Sequence, residues 1–82
     1  MTEIELSEKF KSQLTKLKAE EIRERVEDVL KEILSNPNTG KPLRYTLKGF
    51  RAIRIGKYRL IYAIEGDAVK VYAIEHRKKV YE

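Results

Sequence analysis

Eighty-two residues with no cysteine and a single histidine, His76, allow one domain with a thin core. They exclude disulfides, a Cys-based zinc site and a histidine cluster. Lys and Arg number 18 against 13 Asp and Glu, a formal net charge of +5, and charged residues make up 38% of the chain, a composition common in proteins from hot environments. The charge is unevenly placed: residues 1–40 hold seven Lys/Arg and nine Asp/Glu (−2), residues 41–82 eleven and four (+7).

The first residues alternate polar and apolar types without the apolar run of a signal peptide. No stretch approaches the length of a membrane span, so a cytoplasmic protein with no membrane association is expected. Residues 2–6 read as a short strand with Ile4 and Leu6 on one face. Ser7 is placed to cap a helix, with Glu8 in the first turn where the helix dipole favours an anion, and Phe10, Leu14 and Leu17 follow at helical spacing. A second helix over 19–35 carries Ile22, Val26, Val29, Leu30, Ile33 and Leu34, a wide apolar stripe suited to packing on something flat. Residues 36–42, NPNTGKP, break that helix and form the one extended loop.

Beyond it the period changes from 3.6 to 2. Phe50–Ile55 sets Arg51, Ile53 and Ile55 against Ala52 and Arg54; Tyr58–Glu65 sets Tyr58, Leu60, Tyr62 and Ile64 against Arg59, Ile61 and Ala63. Residues 68–75 alternate Val69, Val71 and Ala73 against Lys70, Tyr72 and Ile74. Gly56-Lys57 and Gly66-Asp67 are short enough to make these three strands an antiparallel meander. The expected fold is α+β: a short strand, two helices, then an antiparallel sheet on which the helices pack, all in one domain over 1–82.

No Gly-rich phosphate loop, nucleophile elbow or Ser/His/Asp set is present. What remains is Arg51, Arg54 and Arg59, then Arg77-Lys78-Lys79, interleaved with tyrosines at 45, 58, 62, 72 and 81. Guanidinium groups bind phosphate and aromatic rings stack on splayed bases, so this pattern favours RNA over a merely solvated surface. Each residue also has a plainer reading. Arg59 can pair with Glu65 or Glu75, residues 77–79 can be a solvated tail, Tyr58 and Tyr62 fit a core, and His76 fits a structural role.

The run LKGFRAIRIGKYRLIY at residues 47–62 and the ending HRKKVY at 76–81 resemble the central and C-terminal motifs of the RelE/ParE toxin superfamily, and the helix pair before them fits as well. The resemblance implies a prokaryotic type II toxin, held inactive by a RelB-like antitoxin protein. Its expected activity is entry into the ribosomal A site and mRNA cleavage there by attack of the ribose 2′-OH on its own 3′ phosphate, with no metal or cofactor. Carried over by motif, Arg59 stabilises the developing charge and Arg77 shares that role or acts as the acid. Tyr81 stacks on the substrate base, and Arg54 completes the catalytic set. Lys48, Arg51, Lys57, His76, Lys78 and Lys79 are the expected RNA contacts. The sequence departs from RelE itself in lacking a lysine pair on the central strand, where Ala52 and Arg54 stand, and arginine is a poor general base with a pKa above about 12. A ParE-like, non-catalytic inhibitor of DNA gyrase is the alternative, and a plain RNA-binding module a third reading.

Overall fold

The computed structural model describes residues 3–76. In chain order it forms β1 (Glu3–Leu6), α1 (Glu8–Lys16), α2 (Glu20–Ser35), a 3-10 turn at Pro37–Thr39, β2 (Lys41–Pro42), a second 3-10 turn at Tyr45–Leu47, then β3 (Phe50–Ile55), β4 (Tyr58–Glu65) and β5 (Ala68–His76). The strands make one five-stranded sheet in the order β1-β5-β4-β3-β2, and both helices lie against one face of it. The fold is α+β, and the β3–β4–β5 meander is antiparallel as its short connections dictate. Gly56 opens the β3–β4 turn with φ +59 and Gly66 opens the β4–β5 turn with φ +61, backbone that a β-carbon would strain.

Two strands extend the sheet beyond that meander. β1 pairs with β5 in parallel, from Glu3 opposite Ala68 to Leu6 opposite Val71, and the two helices supply the crossover that a parallel pair needs. β2 is only Lys41 and Pro42, antiparallel to Ala52 and Arg51, on the sheet edge where a missing proline N–H costs nothing. The core lies between helices and sheet: Phe10 of α1, Val26 and Ile33 of α2, and Ile55, Leu60, Tyr62, Val69, Val71 and Ile74 of the sheet, all nearly or wholly buried.

The strict alternation expected along β5 breaks at one place. Ile61 pairs with Ala73 but Tyr62 pairs with Val71, so Tyr72 is an extra residue, a β-bulge. Past the bulge the faces swap: Ile74 joins Val69 and Val71 in the core, while Ala73 turns to the other side. The backbone groups that β1 no longer reaches are met by α1 instead. The Ser7 hydroxyl donates to the Tyr72 carbonyl at 2.7 Å, and the Ile74 N–H donates to the Gln13 Oε1 at 2.8 Å.

Ser7 therefore does two jobs, since its hydroxyl oxygen also accepts from the Phe10 N–H at 2.9 Å and caps α1. Ser7→Ala is expected to cost about 2 kcal/mol, a lost cap plus a lost bond to the bulge. Ser7→Asp keeps the cap but not the donor and should recover about half. Urea unfolding of the three proteins checks this; a loss below about 0.5 kcal/mol for the alanine would show that the bulge does not depend on Ser7.

At the far end of α2, the Tyr62 hydroxyl donates to the Pro37 carbonyl at 2.7 Å and accepts from the Gly40 N–H at 2.9 Å. A β-carbon at residue 40 would lie 2.6 Å from that hydroxyl, so glycine is what lets the loop approach. Arg51 adds donations from Nη1 to the Asn38 and Gly40 carbonyls. The 36–40 loop is thus pinned to the sheet by side chains from β3 and β4.

Candidate nucleic-acid interface

The sheet face turned away from the helices carries the cationic site. Residues directly opposite in neighbouring strands share a face, and the register sets Arg54 of β3 opposite Arg59 of β4, and Arg59 opposite Glu75 of β5. Next to this row, Ala52, Ile61 and Ala73 form a small apolar row, all buried. Phe50, Ala63 and Lys70 follow, with the Phe50 ring edge-on to Tyr72 at 5.0 Å between centroids. Lys57, exposed in the Gly56-Lys57 turn, adjoins the arginine pair. Lys48 is exposed at the opposite end of the face, after the turn at Tyr45–Leu47.

Two arginines directly opposed on a sheet repel by roughly 0.2–1 kcal/mol unless an anion lies between or beside them. Among the described residues neither Arg54 nor Arg59 has an ion-pair partner. Glu65 is engaged with Lys70 at 3.4 Å and accepts from the Tyr72 hydroxyl at 3.2 Å, and Glu75 is engaged with Lys9 of α1 at 2.9 Å. The hydrogen bond to Glu65 holds the Lys70 ammonium above its ordinary pKa. No Asp or Glu occurs between Glu32 and Glu65, and across that stretch the cations are Lys41, Arg44, Lys48, Arg51, Arg54, Lys57 and Arg59. The carboxylates that do reach this face, Glu65 and Glu75, are engaged by lysines and leave the arginine pair unneutralised.

The expected site residues therefore divide. Arg54 and Arg59 come together on the open face, with Lys57 exposed in the turn that joins their strands and Lys48 exposed before β3. Arg51 lies on the helix side, where Nη1 is committed to the Asn38 and Gly40 carbonyls. His76 is opposite Tyr58, also on the helix side, with the two rings 5.5 Å apart and edge-on. Arg77, Lys78, Lys79 and Tyr81 lie outside the described residues. Lys9 is the neighbour that sequence reasoning did not place at the site; Glu75, named there as a possible partner of Arg59, stands opposite it but pairs with Lys9 instead. Without the bulge at Tyr72, Arg59 would face Ile74, and Glu75 would share the core side with Tyr58. Among the described residues no group of three His, Cys, Asp or Glu is arranged to hold a metal ion, and no helix is long and apolar enough to cross a membrane.

Comparison with known proteins bears on this arrangement. The chain is 41% identical over 59 residues to Toxin RelE of Mycobacterium tuberculosis, an alignment covering 68% of this chain and 61% of that protein, so it spans about three fifths of that relative's length. In fold it is similar to the toxin–antitoxin complex RelBE2 of M. tuberculosis, with a TM-score of 0.78, 29% identity, and 92% of this chain and 96% of that chain covered. It is also similar to the RelB–RelE antitoxin–toxin complex of Methanococcus jannaschii, with a TM-score of 0.75, 22% identity and 94% of each chain covered. The model of the family described as the ParE toxin of the type II toxin–antitoxin system parDE matches residues 4–81. The opposed arginines thus sit on a fold shared with these toxins, and the chain belongs to the ParE toxin family, within the RelE/ParE superfamily.

Proposed function

We propose that this toxin is a ribosome-dependent endoribonuclease that cleaves mRNA in the A site, working in the cytoplasm and restrained by a RelB-like antitoxin protein. The observation that carries the reading is the Arg54–Arg59 pair, opposed across β3 and β4 on the open face with no carboxylate bound to either. In the proposed step the 2′ oxygen attacks the adjacent phosphorus, its proton passes to a base, and the 5′ oxygen of the next nucleotide leaves with a proton. The upstream fragment then ends in a 2′,3′-cyclic phosphate. Extra negative charge gathers on the phosphorane oxygens, where two guanidinium groups rooted at opposed positions of neighbouring strands would stabilise it. Arginine stays protonated, so these residues orient and neutralise rather than accept the proton. Arg77 as acid or second charge stabiliser and Tyr81 as stacking ring follow from the motif resemblance; Lys48, Lys57, Lys78 and Lys79 would steer the RNA by phosphate contact. A RelB-like partner is supported by the antitoxin complexes in which similar folds occur.

A second reading, inhibition of DNA gyrase without catalysis, is favoured by the ParE family match and by the lack of a lysine on the open face of β3. The two separate in one experiment: primer-extension mapping of an mRNA on purified translating ribosomes, beside a gyrase supercoiling assay. Wild type is expected to cut within A-site codons, to leave naked mRNA intact and to spare supercoiling, and Arg54→Ala to cut at least tenfold more slowly. Blocked supercoiling with uncut mRNA would replace the nuclease reading with the gyrase one.

A further inference from the structure

The open face carries a row of four charges, Arg54, Arg59, Glu75 and Lys9, that crosses three strands and ends on a helix. Arg54, Arg59 and Glu75 are successive cross-strand neighbours. Side chains so placed have β-carbons about 5 Å apart, well within reach of an Arg–Glu ion pair. Yet the Glu75 carboxylate pairs with Lys9 at 2.9 Å, and Arg59 has no carboxylate partner among the described residues. Lys9 itself stands clear of the sheet with a side chain 65% exposed, whereas the Glu75 side chain is 21% exposed. The bulge at Tyr72 aims Glu75 at Arg59, and α1, seated along the edge of β5 through Ser7 and Gln13, brings Lys9 in from the other side.

Resting on the reading of the arginine pair as a phosphate site, we propose that Lys9 is a positioning residue that keeps Arg59 available to an anion by holding Glu75 away from it. Glu75 has two cations within reach, and a carboxylate on Arg59 would occupy the guanidinium fork that a phosphate needs. With Lys9 present the arginine pair offers two unneutralised forks; with Lys9 gone, Glu75 turns to Arg59 and one is lost. Lys9 thus acts on RNA without touching it.

A double-mutant cycle tests this, using a fluorescein-labelled single-stranded RNA of mixed sequence, with anisotropy titrations at several salt concentrations and the melting midpoint of each variant as a fold control. Lys9→Ala is expected to weaken binding about three- to fivefold and to lower the slope of log K against log salt by about 0.7, one phosphate contact. In a Glu75→Gln background, the same substitution should change affinity less than about twofold and leave the slope alone, because no carboxylate remains to occupy Arg59. Lys9→Arg should bind as wild type. Equal losses in both backgrounds would make Lys9 a direct RNA contact and overturn the proposal. Arg59→Ala serves as the reference: if it binds RNA as wild type does, the phosphate site itself is wrong and the proposal falls with it. If Arg59→Ala weakens binding but the cycle is additive, only the role of Lys9 is refuted.

Discussion

Arg59→Ala is expected to lower mRNA cleavage on translating ribosomes by about 10²- to 10³-fold, the cost of removing one charge stabiliser at the reacting phosphate, while leaving stability within about 0.5 kcal/mol of wild type. The second half of that expectation follows from the register. Arg59 is half-buried on the open face, makes no ion pair among the described residues, and stands opposite Arg54, so truncation orphans no buried partner and removes a like-charge repulsion. Opposing this is the lost packing of its aliphatic stem beside Ile61, a contribution of similar size. Arg59→Lys keeps the charge and the stem but loses the planar fork, so it should fall between the two. The checks are cleavage rates from primer extension beside guanidinium unfolding curves. A variant that unfolds would make Arg59 a structural residue, and a folded variant that cuts at the wild-type rate would remove it from the site.

The legible parts of this molecule are those set by local periodicity. Ile53 and Ile55, Leu60 and Tyr62, and Ile22 through Ile33 reveal their buried faces in the sequence because each lies in a run whose period is unbroken, whereas Leu34, counted in the same stripe, is 40% exposed at the end of α2. Parity alone also put Arg51 with Ile53 and Ile55, on the helix side; reading it as an RNA contact gave more weight to its charge than to its face. What it does there depends on the Asn38 and Gly40 carbonyls, which no pattern in β3 reveals. β1 was visible as a strand, but its parallel partner was not, since that pairing joins Ile4 to Val69 across both helices. β2 is too short to show a period, and its proline reads as a breaker. The bulge at Tyr72 was hidden for a different reason. Residues 68–75 alternate smoothly, and the extra residue is stabilised from outside the strand, by Ser7 and Gln13 of the first helix and its cap. That one residue decides whether Glu75 faces Arg59 or the core, so charge alone could name Glu75 as a partner for Arg59 but could not show its seat on the open face or its pairing with Lys9.

Tyr62→Phe is expected to destabilise the domain by about 2–4 kcal/mol, a large share of the 5–15 kcal/mol typical of a whole domain. The ring stays and fills the same space, so the loss lies in one oxygen. That oxygen accepts from the Gly40 N–H and donates to the Pro37 carbonyl in a residue with 0% exposure, and without it both backbone groups lose their partner, each at about 1–3 kcal/mol. For a chain of this length each kcal/mol moves the midpoint by about 4–8 °C, so melting should fall by roughly 10–25 °C. Tyr72→Phe is the control, since its hydroxyl reaches only the exposed Glu65 carboxylate at 3.2 Å, and it should cost less than about 0.5 kcal/mol. The pH profile gives a second signature. Burial pushes the Tyr62 hydroxyl above its ordinary pKa of 10.0, against the smaller lowering from the Gly40 bond and Arg51. The folded state therefore holds this proton more tightly than the unfolded chain, which loses it near pH 10. Its contribution to stability is complete below pH 10 and declines as the pH rises from there through the raised native value. Wild type should lose more stability than Tyr62→Phe across that window, so the gap between the two narrows in alkali. A gap that stays constant, or a phenylalanine variant as stable as wild type at pH 7, would show that the 36–40 loop is held by Arg51 and the backbone without the tyrosine hydroxyl.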